Sequence, residues 1–405
     1  MSIESSPSHS VSLPRWTGLP ALAVFALRRV LSGLPAGHAQ ITLPDGARLE
    51  FRGRAPGPSA RVTLHRWRGV RKLITGGDIG FAEAYAAGDW SSPDLPAVLE
   101  LGAVNAIELE RLVAGSAPAR LWNLARHGLK MNSKAGSRRN ITFHYDLGNA
   151  FYGLWLDPSM TYSSALYSRP DMSLEEAQRA KIARAADLLD LKGGEEVLEI
   201  GAGWGAMAAH LAGRGAHVTG LTLSHEQLAH AEALPSPASG SMEFRLQDYR
   251  DTRGTFDRVI SIEMIEAVGE RYWPRYFQAV RDCLKPGGHA VLQVITIAEE
   301  RFEAYRRSAD FIQRYIFPGG MLLTPSIIAQ QAETAGMSLS ASETFGQSYA
   351  RTLAEWRRRF LDQAEALERM GFDRTFRRIW EYYLAYCEAG FRCGAINVGL
   401  YTLKG

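Results

Sequence analysis

Cysteine is scarce in this chain of 405 residues. It contains only three, Cys283, Cys387 and Cys393. An odd and sparse count excludes a disulfide-stapled secreted module and favours a reducing compartment. No two of these cysteines have the spacing of zinc ligands, so we expect no metal site.

Long hydrophobic runs are also lacking. The longest run near the start, residues 19–27, is too short to span a bilayer. Arg28 and Arg29 follow this run, whereas a signal peptide carries its basic residues in front. We therefore expect neither a membrane span nor a secretory leader. We predict an amphipathic helix over 19–32 and favour packing of its apolar face on its own domain over contact with a membrane.

The composition that is present belongs to a folded protein. Hydrophobic residues make up 46% and charged residues 22% of the chain, which excludes a disordered chain and a fibrous repeat. At about 150 residues per domain, the length indicates two domains.

Charge is unevenly distributed. Residues 1–140 carry 18 basic and 10 acidic side chains, and residues 141–405 carry 28 and 33. The segment 111–140 has no acidic residue and seven basic ones, namely Arg111, Arg120, Arg126, Lys130, Lys134, Arg138 and Arg139. Such a segment favours an anionic partner, either nucleic acid or lipid headgroups; a solvated basic linker is the alternative.

Hydrophobic patterning divides the chain into two parts. A hairpin around Pro44-Asp45-Gly46 and helices over 80–88 and 95–113 predict a small N-terminal α+β domain over 1–128. The Ser-, Gly- and Arg-rich stretch 129–141 is predicted to be a basic linker. Beyond it, strands alternate with helices, which indicates an α/β domain with a parallel sheet over 142–405. Strands are expected at 196–200, 218–221, 243–246, 257–262, 289–295 and 397–403.

A glycine-rich turn follows the strand at 196–200. Its sequence is Gly201-Ala202-Gly203-Trp204-Gly205, and Glu199 precedes it. A dinucleotide site would show G-x-G-x-x-G and an acidic residue at the end of the next strand, which here ends in Leu221-Thr222. The G-x-G-x-G turn after an acidic residue is instead the pattern of an S-adenosylmethionine methyltransferase, and a turn without a ligand is the alternative.

Further segments make the match more specific. The chain resembles the cyclopropane-fatty-acyl-phospholipid synthase family, which includes the mycolic acid cyclopropane synthases, over nearly its whole length. The segments that carry the resemblance include Ala82–Trp90, Phe143–Asn149, Thr161-Tyr162-Ser163, Glu176-Ala177-Gln178 with Lys181, Gly220–Ser224 with Gln227, Gln247–Asp251, Glu266, Tyr315–Gly320, and Phe345-Gly346 with Tyr349.

The resemblance implies a class I methyltransferase, with a Rossmann-like sheet and helical insertions that cover a lipid tunnel. The implied reaction is methyl transfer from S-adenosylmethionine to a cis double bond in a phospholipid acyl chain. The implied cofactor residues are Tyr162, Ser163, Gly201, Gly203, Leu221, Thr222, Gln227 and Tyr249. Candidate tunnel residues are Phe151, Trp155, Leu156, Phe311, Ile316, Phe317 and Met321.

Ring-forming members of the family use a bicarbonate ion as the base. The positions that hold this ion correspond here to Ser164, Glu266, Gln293, Ile295 and Tyr349. Ser164 stands in place of a cysteine and Gln293 in place of a histidine, while Glu263 occurs where the family usually has glycine. Glutamine lacks the positive charge that helps histidine to hold an anion. If Glu263 and Glu266 lie one helical turn apart, their charges also repel a bound anion and raise one pKa.

We therefore predict that Glu263 or Glu266 is itself the base, with Tyr349 in the catalytic set. The product is then a methyl-branched, methylene or methylated-diene chain. The alternative is a true cyclopropane synthase, in which Glu263 lies on a surface helix and bicarbonate still binds. Two more distant alternatives are a non-catalytic lipid-binding protein and a methyltransferase for a small molecule or nucleic acid.

The resemblance also assigns a partner to the basic segment. It implies a cytoplasmic protein, peripherally associated with the inner face of the membrane, that binds anionic lipid and not nucleic acid. Trp67, Trp122 and Trp356 are candidates for the membrane interface. A homodimer is left open.

Overall fold

The computed structural model describes residues 19–113, 147–307 and 309–405. The chain divides into two compact units, Met1–Ser116 and Ala117–Gly405. The predicted domain boundary at 128, the linker 129–141 and the side chains of the basic segment 111–140 lie outside the described residues, and so does Trp122. The assignment of a basic linker therefore stays a prediction.

The N-terminal unit combines four described strands with four described helices. The strands are β1 (Ala36–Thr42), β2 (Arg48–Arg52), β3 (Ala55–Leu64) and β4 (Trp90–Ser91). They form one sheet in the order β2-β1-β3-β4. The helices are α1 (Leu19–Leu31), α2 (Arg68–Ala86), α3 (Leu95–Val104) and α4 (Ala106–Val113). The predicted hairpin is confirmed, since β1 and β2 pair antiparallel with Ile41 opposite Leu49.

Asn105 divides the helix that was predicted to continue from 95 to 113. Its Nδ2 donates to the carbonyl oxygens of Leu101 and Ala36 at 2.8 and 3.0 Å, and its Oδ1 accepts from the Ala36 amide at 3.0 Å. A buried side chain that satisfies backbone groups of both a helix end and a strand fixes the break between α3 and α4.

Helix α1 has two apolar faces. Val24 and Leu27 are buried, which confirms the predicted packing for one face. Leu22 and Phe25 are each 66% exposed, and Arg28 and Arg29 in the last turn are exposed as well.

The second unit is built on a seven-stranded sheet in the order β10-β11-β9-β8-β5-β6-β7. Its strands are β5 (Glu196–Ile200), β6 (His217–Thr222), β7 (Ser241–Leu246), β8 (Phe256–Ile262), β9 (Leu284–Ile297), β10 (Ser338–Thr344) and β11 (Ile396–Lys404). All six predicted strands are present, and β5 to β9 are parallel.

Two features of this sheet differ from the prediction of a parallel sheet with six strands. Strand β11 runs antiparallel to β9 and to β10. Strand β10 was not predicted, because its sequence, Ser338–Thr344, is mostly small and polar and its side chains are largely exposed.

Helices surround this sheet. Those before β9 are α5 (Asn149–Gly153), α6 (Leu174–Leu188), α7 (Ala206–Gly213), α8 (His225–Glu232) and α9 (Trp273–Asp282). Those after it are α10 (Glu299–Arg306), α11 (Phe311–Tyr315), α12 (Pro325–Thr334), α13 (Gly346–Asp362), α14 (Ala364–Arg369) and α15 (Arg374–Arg392).

Two apolar clusters pack on the sheet. Leu198 on β5 packs with the α9 residues, whereas Val197 beside it packs with α6 and α7. Successive residues of a strand point to opposite faces, so both faces of β5 are covered. The carboxyl ends of β5, β6, β7 and β8 lie at one edge, which is where ligands bind in sheets of this kind.

Candidate active site

The glycine turn after β5 is held against the end of β6. The amides of Gly201 and Ala202 both donate to the carbonyl oxygen of Leu221, at 3.0 and 2.7 Å. Gly201, Gly203 and Gly205 all have positive φ angles. A Cβ at Gly201 would lie 2.9 Å from the Met264 side chain, whereas a Cβ at Gly203 would meet open space. The turn therefore presents bare backbone to an open region at the sheet edge.

The other predicted cofactor residues lie at the same edge. Thr222 ends β6, and its hydroxyl accepts from the Ser224 amide and donates to Gln227 Oε1 at 2.8 Å. Tyr249 follows β7, and its ring lies 5.4 Å from that of Tyr276. Burial raises the pKa of Tyr249 to about 12, so the phenol is neutral near pH 7.

Tyr162 and Ser163 face different neighbours. The Tyr162 hydroxyl is 2.7 Å from that of Tyr383, and its ring packs against Trp155 and Trp356. The Ser163 hydroxyl accepts a hydrogen bond from the buried Lys181 ammonium group at 2.8 Å.

These residues fit S-adenosylmethionine. Glu199 is buried just before the turn, and its Oε2 has no hydrogen-bond partner among the described residues. Burial raises the pKa of Glu199 to about 8. A buried polar atom without a partner, next to an open backbone turn, is what a site for a polar ligand requires. The contacts of individual residues with the cofactor stay predictions.

Beside the cofactor region, a second group of predicted site residues surrounds Glu263. Glu263 directly follows β8, and its amide donates to the Gln293 carbonyl at 2.8 Å, which continues the β8–β9 pairing by one residue. Its φ angle is +49°, a left-handed conformation that side chains other than glycine rarely adopt. The condition that Glu263 and Glu266 lie one helical turn apart is not met, because the short 3-10 turn covers Ile265–Ala267 and leaves Glu263 outside it.

Three donors surround the Glu263 carboxylate. Oε1 accepts from the Ser164 amide at 2.9 Å and from Gln293 Nε2 at 2.6 Å. Oε2 accepts from the Tyr349 hydroxyl at 2.6 Å. Burial raises the pKa of Glu263, while these three hydrogen bonds and the charge of Lys181 oppose that shift.

Glu266 is bound on one side only. Its Oε1 accepts from the Ile295 amide at 2.6 Å, and its Oε2 has no partner among the described residues. Burial and the nearby Glu263 carboxylate raise the pKa of Glu266 to about 8. The two carboxyl groups therefore differ, since Glu266 is mostly protonated near pH 7 and Glu263 has the donors that stabilise an anion.

The five predicted bicarbonate positions do come together, but three of them are directed at Glu263. Ser164 contributes its amide, because its hydroxyl donates to the Ala165 carbonyl at 2.9 Å. Gln293 and Tyr349 contribute side-chain donors to the same carboxylate. The residues present do not fit a separate bicarbonate ion, since the Glu263 carboxylate already occupies the donors. Glu263 is not a residue of a surface helix.

Aromatic rings enclose this region. Tyr349 stacks on Phe391 at 4.5 Å and meets Trp356 at 6.1 Å. Trp356 is fully buried, so the proposal that it reaches a membrane interface is wrong. Of the candidate tunnel residues, Phe151 and Trp155 lie within a closed aromatic cluster of the core, and Phe317 faces Tyr383.

Sequence reasoning assigned no role to Gln178 and Lys181. Both lie on α6, and both bind the segment that carries Tyr162 and Ser163. The only signal was their occurrence in a segment that carried the family resemblance, because a buried lysine has no sequence signature of its own.

In the described part of the chain, no helix is both long and apolar enough to cross a membrane.

The mostly parallel sheet, the glycine turn at its carboxyl edge and the fit of that edge to the cofactor define an S-adenosylmethionine-dependent methyltransferase. Residues 132–400 match the model of the mycolic acid cyclopropane synthetase family. The chain belongs to this family.

Known relatives are similar over most of the chain. The tuberculostearic acid methyltransferase UfaA1 of Mycobacterium tuberculosis is 38% identical and matches 100% of this chain and 99% of its own. The cyclopropane-fatty-acyl-phospholipid synthase of Escherichia coli is 34% identical over 81% of this chain and 83% of its own. A crystal structure of the mycolic acid cyclopropane synthase CmaA1 with SAH and CTAB has a TM-score of 0.62, at 30% identity, and covers 69% of this chain and 100% of that one.

Proposed function

We propose that this methyltransferase adds a methyl group to a double bond of an unsaturated phospholipid acyl chain and that Glu263 removes the proton that completes the reaction. The observation that carries the proposal is the ring of three donors around Glu263 at positions where the family holds its ion. The names of the relatives support a lipid substrate. UfaA1 is named as a methyltransferase, whereas the Escherichia coli relative is named as a cyclopropane-forming synthase.

An alkene is a weak nucleophile, so the protein must align it. S-adenosylmethionine supplies an electrophilic methyl group when it is bound. Methylation of one alkene carbon leaves a positive charge on the other, and the rings of Tyr162, Tyr349 and Trp356 can stabilise that charge through their faces. Packed aromatic residues also exclude water, which would otherwise capture the cation.

Glu263 is the better base of the two carboxyl groups. A base must be ionised before it accepts a proton, and the Ser164, Gln293 and Tyr349 donors stabilise the ionised form of Glu263. Glu266, with a pKa raised to about 8, stays largely protonated near pH 7 and serves to hold the Ile295 amide. The C–H electrons of the substrate form the product bond as its proton moves to a Glu263 oxygen.

The position of the lost proton decides the product. Loss from the new methyl group with ring closure gives a cyclopropane, whereas loss from a neighbouring chain carbon gives a methyl-branched alkene. A hydride shift before the loss allows a methylene group. The Glu263 carboxylate occupies donors that would otherwise hold an ion, but its own side chain tethers it to the backbone, so it takes the proton from a different point. We therefore expect an open-chain product.

Product analysis tests this directly. We expect that expression in a host with monounsaturated phospholipid yields methyl-branched or methylene acyl chains, detected by mass spectrometry of the fatty acid methyl esters. Hydrogenation separates the products, because a methylene or alkene takes up hydrogen under mild conditions that leave a cyclopropane intact. A cyclopropane as the main product would contradict the assignment and support the alternative of a true cyclopropane synthase.

The exposed face of α1 supports a peripheral membrane contact. Leu22 and Phe25 are one helical turn apart and mostly exposed, and Arg28 and Arg29 lie beside them. Apolar side chains flanked by arginine suit the interface of an anionic bilayer. Arg68 contributes less than its charge suggests, because it binds the buried Asp89 at 2.7 Å.

Replacing both exposed residues by Asp tests this contact. The variant L22D/F25D is expected to bind vesicles of anionic phospholipid roughly ten- to a hundredfold more weakly in sedimentation assays, because two apolar side chains no longer enter the bilayer. The matched control is L361D/M370D, since these residues are each 41% exposed and belong to the other unit. High salt should release the wild-type protein. Equal binding by L22D/F25D and wild type would show that α1 does not contact the lipid.

A further inference from the structure

Lys181 is a buried cation that the mechanism above does not use. Only 2% of its surface is exposed, and it lies on α6 one turn after Gln178, which is fully buried. Lysine is rarely buried without a partner, because removing its charge from water is costly. Its ammonium group donates to the Ser163 hydroxyl at 2.8 Å.

The segment that Lys181 contacts links the two halves of the site. Gln178 Nε2 donates to the Ser163 carbonyl at 2.8 Å, so two α6 side chains hold the same residue. On one side of Ser163, Tyr162 enters the aromatic cluster. On the other, the Ser164 amide donates to Glu263. A shift of Ser163 would therefore move both an aromatic wall and a hydrogen bond to the base.

Carboxyl groups from three parts of the fold act on Lys181. Glu263 follows β8, Glu199 lies on β5, and Asp157 follows α5; each raises the pKa of Lys181, while burial lowers it to about 8. The ammonium charge in turn lowers the pKa of Glu263. Glu263 also faces Glu266, and the Tyr349 phenol and the Cys387 thiol are neutral neighbours whose pKa values are raised.

We propose that Lys181 is a positioning residue for the methyl transfer reaction, which fixes Ser163 through its hydrogen bond and keeps Glu263 ionised through its charge. The inference rests on the proposed function, because it assumes that Glu263 is the base. Without this cation, the buried Glu199 and Glu263 would have no opposite charge among the groups that shift their pKa values.

The pH dependence of kcat separates the two effects of Lys181. A base acts only when deprotonated, so activity rises with pH through the pKa of Glu263. Lys181→Gln keeps a hydrogen-bond donor for Ser163 but removes the charge. The acidic limb of the kcat–pH profile, where activity rises with pH, should therefore move to higher pH by about one unit. Ser163→Ala keeps the charge but removes the hydrogen bond, and its rate should fall while the limb stays in place.

A purely structural role for Lys181 gives a different result. It would lower the rate of Lys181→Gln without moving the limb, and this outcome would overturn the inference. Lys181→Met is made in parallel, with folding followed by circular dichroism and cofactor binding by calorimetry. Loss of the folded state in both variants would likewise overturn it, since Lys181 would then serve stability alone. Failure of the proposed function is distinguishable, because the wild-type enzyme would then give no open-chain methylated lipid.

Discussion

Glu263→Gln should lower the rate of methylated lipid formation by roughly a hundred- to ten-thousandfold, because an amide cannot accept the proton that completes the reaction. Glutamine has nearly the shape of glutamate. Its single amide oxygen can still accept from Ser164 and Gln293, while its NH2 group can donate to the Tyr349 hydroxyl oxygen. The change therefore removes the base with little change in packing. Transfer of labelled methyl from S-adenosylmethionine into the lipid extract measures the rate, and calorimetry should show cofactor binding unchanged within about twofold.

Glu266→Gln is the matched control for this experiment. Because the pKa of Glu266 is raised to about 8, its carboxyl group is mostly neutral near pH 7, and an amide can still accept from the Ile295 amide. We expect this variant to keep most of the activity at pH 7. The reverse pattern, with Glu266→Gln inactive and Glu263→Gln active, would assign the base to Glu266. Full activity of both variants would exclude either residue as the base.

Glu263→Gly should make the enzyme dependent on bicarbonate. Removing the side chain frees the Ser164 amide, the Gln293 amide group and the Tyr349 hydroxyl, and these donors can then hold a small anion. Glycine also accepts the φ angle of +49° without strain. The rate in buffer free of carbon dioxide should be close to that of Glu263→Gln, and added bicarbonate should increase it at least tenfold, an order of magnitude typical of a restored base.

The triple variant S164C/E263G/Q293H extends this test to the product. A histidine at 293 can carry the positive charge that glutamine lacks, so it should hold an anion more firmly. We expect cyclopropane acyl chains to become a main product, measured as above by mass spectrometry after hydrogenation. The wild-type rate should be independent of bicarbonate. If removing bicarbonate from the wild-type enzyme abolishes its activity, the carboxylate of Glu263 is not a substitute for the ion.

The sequence predicted the sheet because its strands are strongly apolar and bounded by turns. The glycine turn after β5 stands where it was expected, since glycines with positive φ angles carry a clear signature. Strand β10 was missed because Ser338–Thr344 is polar and exposed, and such an edge strand is defined by its pairing with β11 rather than by its composition.

The sequence identified most residues of the candidate site but not how they are arranged. Glu263 was named as a base candidate because a glutamate stands there where the family usually has glycine. Glu263 and Glu266 do not share a helix, and the left-handed backbone at Glu263 could not be read from the sequence. In the same way, the sequence identified Ser164 but not that its amide, rather than its hydroxyl, turns toward Glu263. Whether a group points its main chain or its side chain into a site depends on tertiary packing.

The left-handed backbone at Glu263 has a consequence for how such an enzyme could arise. Glycine and glutamate codons can differ by a single nucleotide, and a position already shaped for glycine would accept glutamate at a cost of about 1 kcal/mol in backbone strain. One point mutation could thus convert an ancestor that used bicarbonate as the base into an enzyme that uses the carboxylate of its own Glu263. The histidine position could then become Gln293, whose Nε2 donates to the carboxylate instead of to an ion, and the cysteine position could become serine, because only the Ser164 amide contacts Glu263.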